Sequence, residues 1–371
     1  MTTIFDDSQG YNTWLAGFTD IHADDLAFKL SAMAGDHDPF PFFRGTYYRW
    51  LRHWTEHCAD LDAAPRLLAI GDLHVENFGT WRDKEGRLAW GVNDFDEAAE
   101  LPYTNDLVRL ASSVRFAREA GPLKVRLGQA CKAILTGYGE ALRTGGHPFV
   151  LEEAHPQLRG LAYAQERDPV RFWTRMTRLL QQPAVDPPAD AKAALLRDMP
   201  VKGLKCEYRF RPRVGMGSLG KPRFIVLADW SGGWVARETK TITPSASCWL
   251  AGKEGPSRSR IADIVKRAIR SHDPFYRPEK NWLVRRLAPH CSRIELIHLG
   301  TVGDQTAMLQ AMGAETANVH LGSGKKIEAV LRDLDQRPAG WLKEASRRMY
   351  KALRTDWKAF RAKPPGAAVP Q

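Results

Sequence analysis

The chain carries, at residues 71–77, the stretch Gly-Asp-Leu-His-Val-Glu-Asn, which is rich in acidic and amide side chains. The apolar run 66–70 comes directly before it and predicts a short strand that enters a loop. A second short strand is predicted at 87–92, and it ends at the segment Asn93-Asp94-Phe95-Asp96. Asp94 comes seventeen residues after Asn77, so acidic and amide side chains follow two neighbouring strands.

These two loops carry the side chains that phosphoryl transfer requires. One carboxylate positions the attacking hydroxyl and accepts its proton, while an amide oxygen and a second carboxylate hold Mg²⁺ against the nucleotide phosphates. Mg²⁺ prefers a few hard oxygen ligands and keeps several waters. We therefore predict Asp72, Asn77 and Asp94 as the catalytic residues, with Asp72 as the base. Asn77, Asp94 and Asp96 are the predicted metal ligands, and the predicted cofactors are ATP and Mg²⁺.

A glycine-rich loop at 215–220 is the second feature that carries chemistry. A strand is predicted before it, and two strands that form a hairpin are predicted after it, at 223–229 and 234–242. A dinucleotide-binding fold needs a helix directly after such a loop, whereas kinases place the loop between strands, over the ATP phosphates. The predicted nucleotide-binding residues are the loop, a strand lysine and its acidic partner: Gly215, Gly217, Ser218, Gly220, Lys240 and Asp263.

Helical patterns fill most of the remaining chain. Apolar spacing predicts helices that include 23–33, 45–58, 106–117, 259–271 and 306–319. The proline-rich segment 181–190 predicts a linker. The predicted class is α+β, in three parts: a helical catalytic-loop lobe at 1–200, a β-rich glycine-loop nucleotide lobe at 201–300, and a helical segment at 301–371 that returns to the large lobe.

Composition narrows the classes of protein. The 371 residues are 43% hydrophobic and 26% charged, which is typical of a globular protein, and no run is apolar enough to span a bilayer. The N-terminus lacks the features of a signal peptide, and the five scattered cysteines form no CxxC pair, so we expect a cytoplasmic protein. The net charge of +11 favours phosphate ligands, nucleic acid or acidic membranes alike. The densest basic run, 343–363, is interpreted as the solvated face of a helix, so nucleic acid is not an expected partner.

The acidic loops resemble those of aminoglycoside-phosphotransferase-like kinases. In those kinases a His-Gly-Asp-Leu-His-x-x-Asn stretch is followed by Asp-Phe and then by Asp-Leu at similar spacing. Here Asp106-Leu107 comes twelve residues after Asp94. The resemblance implies that Asp106 supports the catalytic loop. It departs at Ile70, where those kinases usually carry His.

The order of the segments differs from that of an ordinary kinase. There the glycine loop and the lysine precede the catalytic aspartate, whereas Lys240 follows Asp72 by well over a hundred residues. Domain termini tend to lie close together at the surface, which permits circular permutation. We therefore predict a protein-kinase-like two-lobe fold that is circularly permuted. This prediction requires Lys240 to lie across a cleft from Asp94.

The chain also resembles, over nearly its whole length, a bacterial family known as domain of unknown function two-two-five-two. The resemblance implies a protein-kinase-like fold and leaves the substrate open. It adds Arg44 and His74 as supporting residues, with Arg44 either contacting phosphate or the catalytic loop, or being a buried structural arginine. The sequence departs from the family pattern at 288–290 and at Lys325. The shared motifs include Pro-Phe-Pro-Phe-Phe-Arg-Gly at 39–45, 71–79, 93–97, 214–220, Lys240, 284–287, His320 and 323–324.

The leading prediction is an ATP- and Mg²⁺-dependent phosphotransferase of kinase-like fold, with the nucleotide and an unidentified acceptor as partners. Three alternatives stay open: a non-catalytic pseudokinase that binds nucleotide, an enzyme that transfers AMP, and a metallophosphoesterase. The last rests on Asp72-Leu73-His74, but the further GDxxD and GNH blocks that it requires are absent. Taken singly, Asp72 also suits a turn, Asn77 a helix cap and Asp106 an N-cap.

Overall fold

Helices and short antiparallel sheets alternate along the chain. The computed structural model describes residues 2–152, 154–164, 168–252, 259–291, 293 and 299–363. Helices contain 52% of the residues and strands 15%. These fractions confirm the predicted α+β class. No helix in these ranges is long and apolar enough to cross a lipid bilayer. The five cysteines, all within these ranges, form no disulfide bond.

The first 150 residues form helices around two small sheets. A two-stranded sheet pairs β1 with β4, and a three-stranded sheet has the order β2-β3-β5. The helices are α1 (Ile4–Ala16), α2 (Ala23–Met33), α3 (Phe40–Gly45), α4 (Tyr47–His57), α5 (Ala59–Asp62), α6 (Tyr103–Glu119) and α7 (Leu127–Thr144). The strands are β1 (Arg66–Ala69), β2 (Phe78–Arg82), β3 (Leu88–Val92), β4 (Ala99–Pro102) and β5 (Phe149–Val150).

A five-stranded antiparallel sheet forms the second part, in the order β6-β7-β8-β10-β9. The predicted hairpin is confirmed, because β7 pairs with β8 from Arg223↔Lys240 to Trp230↔Gly233. The strands are β6 (Glu207–Phe210), β7 (Arg223–Trp230), β8 (Gly233–Thr241), β9 (Arg277–Glu279) and β10 (Trp282–Leu287). Around them lie α8 (Pro156–Ala164), α9 (Pro169–Thr177), α10 (Ala189–Arg197), α11 (Ala246–Leu250) and α12 (Ile261–Arg267).

Two helices that precede residue 200 cover part of this sheet. On one face, Met176 of α9 packs with Ile225 and Leu227. On the other, Ala194 of α10 packs with Val284. The proline-rich segment 181–190 therefore lies between helices that both pack on the sheet. The packing unit of the sheet begins before residue 200, since helices as well as strands bury its apolar side chains.

The last part of the described chain packs on the helical part. It forms α13 (Val302–Leu321), α14 (Ile327–Gln336) and α15 (Trp341–Ala362). α13 packs along α7, and α15 packs on α6 and α4. Leu342, Met349 and Leu353 of α15 are buried in the main core. The basic run 343–363 therefore lies almost entirely on an amphipathic helix, α15. The Pro/Ala tail, 364–371, lies outside the described residues.

The contact between α7 and α13 depends on a glycine. A Cβ added to Gly313 of α13 would lie 2.1 Å from the carbonyl oxygen of Ile134 in α7. Real Cβ atoms do not approach a backbone oxygen so closely, and a packed core resists the shift that would relieve the clash. Gly313 therefore sets the separation of the two helices.

We predict that Gly313→Ala lowers the free energy of unfolding by about 1–3 kcal/mol, the usual cost of overpacking a core. Urea denaturation followed by circular dichroism measures the change. Gly128→Ala is the matched control, because Gly128 also lies in one of these helices and a Cβ there meets no atom within 4 Å. The control is expected to be neutral, or stabilising by up to about 1 kcal/mol, since alanine favours helix more than glycine does. Equal effects of the two substitutions would contradict this account of the packing.

Candidate active site

The loop that carries Asp72 is anchored from two distant helices. The buried carboxylate of Asp106, on α6, accepts the backbone N–H of Ile70 at 2.7 Å and that of Gly71 at 2.9 Å. His320 of α13 lies with Nε2 3.0 Å from Asp106, and its Nδ1 lies 2.8 Å from the Tyr138 hydroxyl. Asp106 therefore supports the loop in the way that the kinase resemblance implied. The imidazole in this network comes from His320 and not from position 70.

Gly71 brings the two acidic loops into contact. Its φ is +86°, a region that L-residues with a side chain rarely adopt. A Cβ at this position would lie 2.3 Å from the carbonyl oxygen of Glu97. Only glycine therefore lets the loop of Asp72 pass so close to the loop of Asp94 and Asp96.

Asp72 has one carboxylate oxygen fixed and one that faces a cleft. Oδ1 accepts two bonds from Arg109, at 3.0 Å from Nε and 2.6 Å from Nη2. The Arg109 guanidinium is fully buried and lies 3.8 Å from the centre of the Phe43 ring. Oδ2 points towards the glycine loop, 3.7 Å from where a Cβ of Gly217 would be. Burial raises the pKa of Asp72, and Arg109 acts against this rise. Sequence reasoning missed Arg109, although it lies one helical turn after Asp106 on the same helix.

Asn77 ties the acidic loops together through its amide nitrogen. Nδ2 donates to the carbonyl oxygens of Asp72, at 3.2 Å, and of Asp94, at 3.0 Å. The backbone repeats the connection, since the Asn93 N–H donates to the Asn77 carbonyl at 2.9 Å. Because the amide nitrogen is used in this way, Oδ1 is the atom that Asn77 offers to the cleft it lines.

Lys240 reaches the acidic loops from the third strand of the large sheet. Its Nζ lies 3.0 Å from both carboxylate oxygens of Asp94 and 2.8 Å from Oδ2 of Asp96. The side chain is almost fully buried. The predicted proximity of Lys240 to Asp94 is confirmed, across a sequence separation of 146 residues.

The two carboxylates that share Lys240 differ in their proton affinity. Burial would raise the pKa of Asp94, but the charges of Lys240 and Arg285 outweigh burial and hold it well below its ordinary value. Burial and the neighbouring Asp94 charge raise the pKa of Asp96, in spite of Lys240. Oδ1 of Asp96 is buried and has no hydrogen-bond partner within the described residues. Such an unpaired oxygen beside an ionised carboxylate is a natural position for a cation.

The glycine loop closes the cleft from the sheet side. Gly215, Gly217 and Ser218 line the cleft together with Asp72, Asn77 and Asp94. A 3₁₀ turn at Met216–Ser218 packs against α3. The Ser218 hydroxyl accepts a bond from Arg223 at 2.8 Å, so the sheet holds the loop in place. Gly220 lies further out, where its carbonyl accepts the backbone N–H of His22 at 2.8 Å.

The predicted pairing of Asp263 with Lys240 is not formed. Asp263, near the start of α12, lies with Oδ2 2.9 Å from Nε of Arg260. The carboxylates at Lys240 come instead from Asp94 and Asp96. A partner from the acidic loops neutralises the buried ammonium, so no carboxylate from the following helix is needed there.

Arg44 and His74 lie at the mouth of the cleft. Arg44 Nη1 lies 2.7 Å from Oε2 of Glu76, and Arg293 lies 3.2 Å from the same oxygen. Burial, followed by the nearby charge of Arg44, holds the pKa of His74 well below its ordinary value. His74 is therefore neutral, and its Nδ1 accepts the backbone N–H of Glu76 at 3.2 Å. Arg44 remains a candidate for phosphate contact, whereas His74 shapes the loop.

A charged cluster under the sheet was missed from the sequence. Glu238 lies two residues before Lys240 on β8 and so shares its face. The buried carboxylate of Glu238 lies 2.6 Å from Arg223, also pairs with Arg211, and is 3.9 Å from Arg285. The charges of the surrounding arginines outweigh burial and hold the pKa of Glu238 below its ordinary value. The sheet therefore presents net positive charge to the cleft, through Arg223 and Arg285.

Glu97 and two lysines form the inner wall of the cleft. Glu97 Oε2 accepts the backbone N–H of Ala246 at 2.7 Å. Burial raises the pKa of Glu97 to about 7, against the charge of Lys221. Burial also lowers the pKa of Lys29 to about 8. This wall therefore holds groups that change charge close to neutral pH.

Comparison with known proteins follows the resemblance seen in the sequence. Residues 22–185 match the family described as uncharacterized protein conserved in bacteria (DUF2252). The match supports the resemblance of the chain to this family. It covers the loops of Asp72, Asn77, Asp94 and Asp106 and ends before the glycine loop. The comparisons give no significant match to a curated protein or to a solved structure.

We predict that Glu97→Gln removes part of the pH dependence of stability. The pKa of Glu97 is raised from 4.5 to about 7 in the folded protein, so the folded state holds this proton more tightly than the unfolded state does. Glu97 therefore makes the wild type lose stability as the pH rises from about 4.5 to about 7, by on the order of 1–3 kcal/mol. Urea denaturation at pH 5 and at pH 7.5 measures the loss for both proteins. If the free energies of unfolding of the two proteins differ by the same amount at pH 5 and at pH 7.5, the raised pKa of Glu97 is contradicted.

Proposed function

We propose that the protein is an ATP- and Mg²⁺-dependent phosphotransferase of the kinase type. One observation carries the proposal: the glycine loop, from the sheet, lines a single cleft with Asp72, Asn77 and Asp94, from the helical part, and Lys240 of the sheet is ion-paired with that Asp94. These residues have the chemistry that phosphoryl transfer uses, and the segments that bring them together are far apart in sequence. Such a convergence is not expected of residues that serve only turns and caps.

The topology supports a two-lobe kinase-like fold in permuted order, which we include in the proposal. The glycine loop joins the first two strands of a five-stranded antiparallel sheet, and Lys240 is on the third. That is the arrangement by which kinases cover and contact ATP phosphates. The helical part, with the acidic loops, precedes the sheet in the chain and is completed by α13 and α15.

The residues present fit a magnesium ion. Asn77 offers Oδ1 because its amide nitrogen is used within the protein. Asp94 is held in its ionised form. Beside it, the buried Oδ1 of Asp96 has no hydrogen-bond partner among the described residues. These three residues would hold the ion, which when bound neutralises phosphate charge. Hard oxygen ligands of this kind suit Mg²⁺.

Asp72 is placed to act on the acceptor. Arg109 fixes one of its oxygens and so orients the other towards the cleft. A hydroxyl held there would give its proton to Oδ2 as its oxygen bonds to phosphorus. Arg44, which lines the cleft, would contact phosphate oxygens, and the glycine loop would exclude water from them.

We predict opposite effects of substitutions at the two central aspartates. Asp94→Ala is expected to abolish the Mg²⁺-dependent part of ATP binding, because it removes a metal ligand. Asp72→Asn is expected to keep nucleotide affinity and to lower the rate of transfer by about 10²–10⁴-fold, the usual contribution of a positioned base. Titration calorimetry measures ATP binding with and without Mg²⁺. The rate at which ADP is released from ATP measures transfer.

Asp263→Ala is the matched control for these substitutions, because it removes an aspartate that does not pair with Lys240. It is expected to leave both quantities unchanged. Unaltered Mg²⁺-dependent binding in Asp94→Ala would reject the metal assignment. Full turnover in Asp72→Asn would reject the base.

A second candidate function, transfer of AMP, is favoured by the charged cluster under the sheet. In kinases the strand that carries the lysine reads Val-Ala-Ile-Lys, with alanine two residues before the lysine. Glu238, with Arg211 and Arg223 around it, occupies that position here. A purine is bound best by apolar and aromatic side chains, whereas arginines at such a surface suit phosphates. A nucleotide bound with its phosphate chain under the sheet would present its α-phosphorus to the acceptor.

We predict that isotopic labels separate these functions. In phosphoryl transfer the acceptor oxygen bonds to the γ-phosphorus and ADP leaves, so label from [γ-³²P]ATP is retained on the acceptor. In AMP transfer it bonds to the α-phosphorus, pyrophosphate leaves, and label from [α-³²P]ATP is retained. The full-length protein is incubated with each label in a lysate, with Asp72→Asn as control. Retention of neither label, with Mg²⁺-dependent ATP binding intact, would indicate a pseudokinase.

A further inference from the structure

The last turn of α4 carries a group of side chains that the proposed function does not use. His53, Glu56 and His57 are spaced i, i+3 and i+4, so all three lie on one side of the helix. Oε2 of Glu56 is 3.8 Å from Nδ1 of His53 and 4.0 Å from Nε2 of His57. One nitrogen from each imidazole and one carboxylate oxygen lie within 4.8 Å of one another. Tyr47 lines the cleft at the other end of this helix, about 15 Å away along its axis.

A carboxylate orients His53 from behind. Nε2 of His53 lies 2.5 Å from Oδ2 of Asp356, on α15. Asp356 is itself held by Arg49, whose Nε is 2.7 Å from the same oxygen. A histidine that binds a metal through one ring nitrogen almost always donates from the other nitrogen to a carboxylate or a carbonyl. The Asp356–His53 pair has this arrangement, with Nδ1 directed towards Glu56.

A second observation points to a ligand at this position. Nδ1 of His53 is buried and has no hydrogen-bond partner among the described residues. The His53 side chain is only 8% exposed, so the protein has placed a polar nitrogen where bulk water does not satisfy it. With Nε2 engaged by Asp356, Nδ1 is the ring nitrogen that is left to bind a proton or a cation. A lone pair directed at a carboxylate is unfavourable unless a proton or a cation lies between them.

We propose that His53, Glu56 and His57 bind one divalent transition-metal ion of the zinc class. Two imidazoles and a carboxylate are ligands that zinc accepts, and three protein ligands leave a fourth position for water. Bonds of about 2.0–2.2 Å bring tetrahedral ligand atoms to about 3.3 Å from one another. The present separations close to that value by rotation of Glu56 and His57, whose side chains are 32% and 39% exposed. Arg348, whose charge acts on His57, is already paired with Asp60 at 2.8 Å.

The test is titration of full-length protein with ZnCl₂ by calorimetry, after removal of metals with a chelator and in the presence of excess MgCl₂. Excess magnesium competes with zinc for the hard-oxygen ligands of the cleft, and the ligand variants below identify the part of the zinc isotherm that belongs to the histidine site. We expect one zinc ion per chain. His57→Ala and Glu56→Gln each remove a ligand at the surface and are expected to weaken binding at least tenfold. His37→Ala removes an exposed histidine elsewhere and serves as the matched control.

Thermal unfolding without zinc checks that the substitutions leave the fold intact, as expected for side chains that are partly exposed. Wild-type affinity in His37→Ala together with weakened affinity in both ligand variants supports the site. The proposal is overturned if the wild type binds no zinc, or if His57→Ala binds it as tightly as the wild type does.

Discussion

One ion-paired lysine holds the two parts of the protein in register. Lys240 comes from the sheet, is buried, and ends between Asp94 and Asp96 of the helical part. The Lys240 charge would be costly to bury without a counter-charge, and the two carboxylates supply it. The position of the sheet over the acidic loops, and therefore the shape of the cleft, depends on this contact. The same contact holds the pKa of Asp94 well below its ordinary value, whereas burial and the Asp94 charge raise the pKa of Asp96 in spite of Lys240.

The distribution of charge divides the cleft into regions with different chemistry. The loops of Asp72, Asn77 and Asp94 supply acceptor oxygens, whereas the underside of the sheet supplies guanidinium groups around Glu238. The positive charge of the chain is therefore not spread evenly, and part of it is concentrated where a phosphate chain would lie. The region that an apolar base would need under the sheet is partly filled by α9, which packs on Ile225 and Leu227. These features favour a ligand that the protein would contact through its phosphates more than through its base.

Local patterns were enough to predict much of this arrangement. Strand-then-loop signals located Asp72 and Asp94, the hairpin located Lys240, and the spacing to Asp106 indicated the support of the loop. The predicted strands 223–229 and 234–242 match β7 and β8 to within one residue at each end, and the predicted helix 23–33 coincides with α2. These elements have strong periodic patterns, and their bounds depend on local residues.

Tertiary contacts account for what the sequence did not reveal. Arg109, His320 and the arginines around Glu238 act on the site from segments whose approach no local pattern encodes. Asp263 was chosen because it follows Lys240 on the next helix, and the fold supplied closer carboxylates instead. Helices α9 and α10 pack on strands that come later in the chain, and no local pattern indicated this contact.

The order of segments has a consequence for synthesis of the protein. The acidic loops leave the ribosome long before their counter-charge, since 146 residues separate Asp94 from Lys240 and 214 separate Asp106 from His320. At about 5–20 residues per second, the carboxylates of Asp94 and Asp96 wait roughly 7–30 seconds for their lysine. A chain cut short by premature termination before α13 carries the acidic motif and Asp106 but lacks the His320 imidazole that contacts Asp106. Synthesis through α13, rather than appearance of the motif, therefore marks the moment at which the full set of these contacts can first form.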